Sequence, residues 1–525
     1  MDSLFFKKYN LIESVNKILI VNMIRKICLF VLVGAVSVLQ AQKLEKTGLK
    51  IEKFKGMFGI QPNSAVIQGF GSDENNYYVY YSFTTLMQKV EPAFFVIDKN
   101  LTTAKEYSIA KDKEDRFLKV LTTEEDMIIL LVRNKKDEQK SQIIKQAYSK
   151  STGKLKKETV IASFPKSKSD HWYFYSSSSP DNKKTGFLFL LVGKKNSVDS
   201  YYASVLNENC EVEWSAVHDL EVSNESFSIQ DITVTNKGDI CLAFWSQPEN
   251  IKKSANKKSY IDLIYLADGA KEKTNYLIDE KYKRVQVELK ALKNNDIYLA
   301  GLFSVDRYAT KIEFISAKLN GNNFNLSDAY KKQIEDKGTK DKFSTVIHLY
   351  IEKILELENG DIAVLCEQAQ SIIVQSNSMT TYTKSRFAVT SLFVSGKDAS
   401  VENISVMRKV QSHKSNFDCS PKSLHLSIFP FVYGNKVGYL FNDNLKRYAT
   451  PHKYKKESGF RSGNGEDACI VLNTQSEGEK AEITPLTGLT PANRLIRQIL
   501  FEEDNRLILL TRNKKEAYIE ILSLP

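Results

Sequence analysis

Proline, glycine and cysteine are sparse in this chain: 11, 23 and six among 525 residues. So little proline and glycine excludes collagen-like and low-complexity chains. The cysteines are widely and irregularly spaced, which makes neither a framework of bridges nor a C-x-x-C zinc knuckle. The six histidines (His171, His218, His348, His413, His425, His452) show no H-x-H or H-E-x-x-H spacing, so neither a metal site nor a cofactor is expected. G-x-S-x-G is absent, and Gly69-Phe70-Gly71 lacks the third glycine and the helix that phosphate binding needs. Asn320–Asn325 (NGNNFN) and Asn442-Asp443-Asn444 offer oxygen ligands without completing a calcium loop. Paired carboxylates from distant segments would leave no local signature. No reaction can be named, and the balance leans away from an enzyme.

Charge excludes a second class. The net charge is +11, but the first 41 residues carry five basic and two acidic residues, leaving 69 basic against 61 acidic in the rest. Acidic residues alternate with the lysines nearly everywhere, whereas a nucleic-acid footprint needs a concentrated stripe. Nucleic acid is therefore not an expected partner.

What is present begins with an export signal. Ile24-Arg25-Lys26 is a short basic region, Ile27–Leu39 (ICLFVLVGAVSVL) is apolar, and Gln40-Ala41-Gln42 offers cleavage after Ala41. The apolar run is too short to span a bilayer comfortably. Residues 1–41 read as a signal peptide, with 1–22 an upstream extension and Met23 the expected start. The exported chain, 42–525, then has no membrane span and is expected in the periplasm, on the outer surface or in the medium. Cys28 opens the apolar run and is no lipid-attachment site. Of the remaining five cysteines, Cys241 and Cys366 lie in apolar runs and read as core residues. Cys210, Cys419 and Cys469 leave room for one bridge at most, and their spacing does not choose it.

Short apolar runs recur through the exported chain: Tyr77–Phe83, Met127–Val132, Phe187–Val192, Ile240–Trp245, Ile297–Phe303, Ile362–Cys366, Val437–Phe441 and Leu507–Leu510. Each is too short for a helical pattern, and turn signals such as Asn236-Lys237-Gly238-Asp239 and Asn359-Gly360-Asp361 precede most. Alternating segments such as Phe117–Leu121 and Val285–Leu289 lie before them, and weaker strands follow. A strand apolar at every position is covered on both faces. Ile128–Lys136 (IILLVRNKK) and Leu507–Lys515 (LILLTRNKK) share seven of nine residues at matching places in their units. The last unit supplies only three strands, and Leu49–Phe54 could complete it, closing a ring without open edges. The fold expected is all-β: a propeller of about eight four-stranded blades in one domain. Seven is the alternative, because the unit from about 335 to 413 is long.

The chain from residue 42 onward resembles the irregular β-propeller proteins found among exported bacterial proteins. It carries no Gly-His/Trp-Asp pair, kelch Gly-Gly or Ser-x-Asp-x-Gly-x-Thr-Trp box, and Tyr148–Leu155 (YSKSTGKL) matches a quinone-propeller turn once, without its tryptophan. The resemblance therefore implies architecture and no functional residues. Two segments suit ligand binding. His171–Ser179 (HWYFYSSSS), with His171, Trp172, Tyr173 and Tyr175, sets aromatics beside hydroxyls, as sugar or peptide binding needs; an outer blade strand with a serine turn is the preferred explanation. Asn442–Asp467, with Asn442, Asp443, Arg447 and Tyr448, reads as a long loop on a rigid scaffold. The expected function is partner binding, to a protein or a glycan, by a monomer through loops on one face. A hydrolase or lyase acting on polysaccharide or peptide is the first alternative, and a structural cell-envelope component the second.

Overall fold

The protein is described by a computed structural model covering residues 49–50 and 65–524. Excepted are 85–88, 111, 113–114, 135–137, 168–171, 193–197, 221–224, 249–258, 279–283, 305–311, 323–324, 335–347, 377–378, 416–425, 445–459, 462–467, 480–481, 487–494, 504 and 514–515. The described residues form strands and turns, with no helix among them.

After β1 (Leu49–Lys50), blade 1 comprises β2 (Ala65–Ser72), β3 (Asn76–Thr84), β4 (Lys89–Asp98) and β5 (Ala104–Ser108). Blade 2 holds β6 (Asp115–Thr122), β7 (Asp126–Arg133), β8 (Lys140–Ser149) and β9 (Leu155–Pro165). Blade 3 holds β10 (Trp172–Ser178), β11 (Thr185–Val192), β12 (Val198–Leu206) and β13 (Val212–Asp219). Blade 4 holds β14 (Glu225–Val234), β15 (Ile240–Pro248), β16 (Ser259–Ala267) and β17 (Ala270–Ile278). Blade 5 holds β18 (Arg284–Ala291), β19 (Ile297–Ser304), β20 (Ile312–Leu319) and β21 (Tyr330–Ile334). Blade 6 holds β22 (His348–Glu356), β23 (Ile362–Ser376), β24 (Met379–Val394) and β25 (Val401–Ser415). Blade 7 holds β26 (Phe429–Tyr433), β27 (Lys436–Asn444), β29 (Ala468–Gln475) and β30 (Glu482–Pro485). Between β27 and β29, β28 (Phe460–Arg461) leaves its blade to pair parallel with β25 of blade 6.

Blade 8 is the composite. Its β31 (Leu495–Glu503), β32 (Arg506–Asn513) and β33 (Glu516–Ser523) end the chain, and β1 supplies the fourth strand, Leu49 opposite Ile519 and Lys50 opposite Tyr518. First strands of neighbouring sheets lie against one another, β14 on β18, β18 on β22, β22 on β26 and β31 on β2 among them. They surround the axis of an eight-bladed propeller. The long unit after residue 335 adds length to its strands and no extra blade. β23, β24 and β25 run 15 or 16 residues, where the other second strands run eight or nine.

Each expected apolar run is the second strand of its own blade, and the packing shows why it is apolar throughout. Eight hydrophobic clusters fill the eight gaps between blades. In β7, Ile128, Leu130 and Val132 feed the cluster shared with blade 3, while Met127, Ile129 and Leu131 feed the one shared with blade 1. Successive side chains on a strand point to opposite faces, so a strand wedged between two blades needs an apolar residue at every position. Each such side chain contributes about 1.5–3 kcal/mol on burial. Gly186 marks how close the blades come, because a Cβ there would run into Val234 of blade 4. Cys210, Cys241, Cys366 and Cys469 are buried free thiols; Cys419 lies outside the described residues, as do residues 1–41.

Candidate functional site

The eight first strands line the central channel, each with one edge outside its own sheet. An edge strand leaves alternate backbone N–H and C=O groups unpaired. Polar side chains from the neighbouring blade meet many of them. Asp231 Oδ2 accepts from the Leu289 N–H at 2.7 Å, Thr233 Oγ1 from that of Ala291 at 2.9 Å, and Gln230 Oε1 from that of Val287 at 3.3 Å. Gln286 accepts from the Ile351 N–H at 3.1 Å and donates to its carbonyl at 3.2 Å. Asn442 does the same for Ile496, at 2.7 and 2.9 Å. These residues stitch β14 to β18, β18 to β22, and β27 to β31. Bulges at Phe70, Leu118, Gln230 and Glu352 interrupt β2, β6, β14 and β22, and a bulge re-aims the side chains around it.

Other channel charges have no such backbone role. Glu288 of β18 lies beside Asp231, with Gln286 Nε2 donating to its Oε1 at 3.2 Å. Burial first, then the Asp231 carboxylate, hold the Glu288 carboxyl well above its ordinary range. Burial also raises Asp231, opposed by the backbone N–H groups of Leu289 and Ile232. Burial and the charge of Lys353 on blade 6 lower Lys290. Burial raises Glu502 of blade 8, while Lys353 and Lys290 pull it down. Charges on blades 5, 6 and 8 thus interact around one lumen. Glu502 and Lys353 are open to solvent, yet Glu502 has protein on most sides, as befits a channel wall. On blade 2, Lys119 of β6 donates to Ser178 Oγ of β10 at 3.1 Å.

Blade 6 carries a second group of charges, inside the sheet. Lys409 of β25 is fully buried and ion-paired with the equally buried Glu367 of β23; it also donates to Gln411 Oε1 at 2.8 Å. Ser427 donates to Glu367 Oε2 at 2.9 Å, and Arg386 of β24 lies 3.5 Å from Glu367 and 3.7 Å from Glu352 of β22. Burial pushes the Lys409 ammonium down, and Glu367 opposes that shift. Beyond this group the sheet outgrows its neighbours. β22 pairs with β23 only as far as Ala369, and Ile373 and Val374, 57% and 56% exposed, project from the extension.

Of the residues picked from sequence, Trp172, Tyr173 and Tyr175 share β10. This is a first strand, on the channel, and so not the outer strand that would have explained its composition. Trp172 packs edge-on and Phe174 tilted against Phe189, at 5.3 and 5.0 Å, Arg116 of blade 2 lies 5.8 Å over the Trp172 ring, and Tyr173 is 58% exposed. Asn442 and Asp443 are buried within β27, which runs on to Asn444, so the expected loop starts three residues later. His171, Arg447 and Tyr448 lie outside the described residues. Sequence reading passed over Lys119, Glu288, Lys290, Lys353 and Glu502. The available signal was a charged residue inside an alternating segment just before an apolar run. Among the described residues, Asp361, Glu402 and Glu477 bring one carboxylate oxygen each within 4.8 Å of the others. Asp361 and Glu477 lie in turns and Glu402 near the start of β25, and Asp361 Oδ1 already accepts from the Gly396 N–H at 3.0 Å.

No known family profile matches the sequence, and no curated protein matches it. Among solved structures the chain is similar to polysaccharide lyase Uly1, with 10% identity, 92% of this chain and 100% of that one covered, and a TM-score of 0.37. An oligogalacturonate lyase in complex with manganese follows at 8% identity, 89% and 92% coverage and 0.36. The WD40 domain of SCAP from fission yeast gives 8%, 88% and 94%, and 0.33. Likeness this distant assigns no function, and the propeller rests on the strand order of this chain.

Proposed function

We propose that this chain is an exported propeller that binds a protein or glycan partner through one face of the ring. Unequal connections carry the reading. On the face where first strands end, the chain between strands is two to six residues long, apart from ten between β20 and β21. On the other face it reaches 13 residues at 335–347 and 416–428, and 23 at 445–467. The blade 6 hairpin rises on that same face, about 20 Å beyond an ordinary blade, carrying Ile373 and Val374. Exposed apolar residues on a rigid base suit a partner surface. The test is a glycan array and an envelope-protein capture with the purified chain. A ligand lost on Ile373→Asp with Val374→Asp, but kept on Lys397→Glu at the short-turn face, supports the reading. The reverse pattern defeats it. Export itself is checked by cell fractionation, where deletion of 24–41 should retain the chain inside.

A second reading, a hydrolase or lyase on polysaccharide or peptide, is favoured by Glu288, a carboxyl kept protonated in a channel beside a carboxylate, which suits a general acid. Turnover that survives Glu288→Gln would count against it.

A further inference from the structure

Ser178 ends β10, the strand whose aromatic and serine-rich sequence stood out from composition. Its side chain points to blade 2, on the same side of β10 as Trp172. There β6 bulges at Leu118, and the next residue, Lys119, reaches Ser178 Oγ at 3.1 Å. Lys119 stands in the seam between blades, while Ser178 is exposed at the channel mouth on the short-turn face. A hydroxyl open to solvent and held by an enclosed amine is the arrangement an activated serine requires. We propose that Ser178 and Lys119 are a nucleophile and its base, placed at this mouth to cleave carboxylic esters.

Burial pushes the Lys119 ammonium down to about 8, so neutral amine is present in mildly alkaline solution. The groups around it do not restore the charge. Arg116 on β6 is turned to the Trp172 ring, β10 contains no charged residue, and the Cys210 thiol after β12 is raised to about 11 by burial. Lys145 of β8, beyond Cys210, adds a further cation. In the step, Ser178 Oγ bonds to the acyl carbon as its proton passes to the Lys119 amine. The ester C–O bond breaks, and the alcohol leaves with that proton. Water then attacks the acyl-serine and gives a proton to the same amine; the bond between the acyl carbon and Ser178 Oγ breaks, that proton returns to Oγ, and the carboxylic acid leaves. The inner edge of β10 turns backbone N–H groups to the lumen, where an oxyanion needs donors. None of this rests on partner binding, which occupies the opposite face.

The probe is phenylmethanesulfonyl fluoride on the purified full chain, read by intact mass and peptide mapping. One sulfonyl adduct on Ser178 is expected, forming faster as pH rises through about 8. Ser178→Ala should abolish it. Lys119→Arg keeps a cation and a donor for Ser178 but no usable base, and should slow labelling at least about 100-fold, with an unchanged circular-dichroism spectrum. No adduct on Ser178, or one formed equally fast in Lys119→Arg, overturns the proposal and leaves the contact a plain hydrogen bond.

Discussion

Asn442 shows how a polar residue inside an apolar strand earns its place in this molecule. Its amide satisfies both backbone groups of Ile496, across the gap between blades 7 and 8. Removing it orphans a buried N–H and a buried C=O, so Asn442→Ala should cost about 2–4 kcal/mol. Urea unfolding checks this, and a loss below about 1 kcal/mol would contradict the stitching role. Nothing in the local sequence could have revealed it, because the partner lies 54 residues away and Asn-Asp-Asn is equally good turn chemistry. Lys409 poses the matching case for charge. Lys409→Met takes the nearer of its two cations from the buried Glu367, leaving only Arg386 at 3.5 Å, and should cost about 3–5 kcal/mol. Adding Glu367→Gln should recover most of that loss; a double variant no better than the single one would show that the pair is not coupled.

At the level of strands, the second strand of each blade was legible outright and the first only in part, as with Phe117–Leu121 in β6 and Val285–Leu289 in β18. Burial on both faces writes itself as an unbroken apolar run, which third strands carry only in places, as at Ala93–Ile97. A first strand instead meets water along the channel, so its mixture of aromatic and polar residues matches that of an outer strand; Trp172–Ser178 could be assigned either way for this reason. Its charges also act between neighbouring blades, on residues far apart in sequence, such as Asp231 and Glu288. That pair has a measurable consequence. A carboxyl raised in the folded chain holds its proton more tightly than in the unfolded one. Stability therefore falls as pH rises from the unfolded value of 4.5 to beyond neutrality. Urea midpoints at pH 5 and 8 should differ less in Glu288→Gln than in the parent, while Asp231 retains part of the slope. An equal difference in both proteins would mean that Glu288 titrates normally.

For the whole molecule, closure was readable from arithmetic. The last unit came up one strand short, and one strand-like stretch was left over at the other end. The described part of that stretch, Leu49–Lys50, pairs with β33 and joins residues nearly 470 positions apart in the chain. The eight gaps are filled alike, so a break anywhere would expose two apolar faces at once. Final compartment and ligand were not legible, since a propeller scaffold is compatible with many partners.

Closure of the eight-bladed ring by its two ends is the claim on which the rest depends, and a cross-link tests it directly. Opposed residues on antiparallel neighbours lie within the Cα separation that a disulfide spans. In Leu49→Cys/Ile519→Cys, mild oxidation should give a monomer with one new intramolecular disulfide, which neither single variant forms. Free thiols at both positions, or disulfides only between molecules, would show that the ring is not closed by these strands.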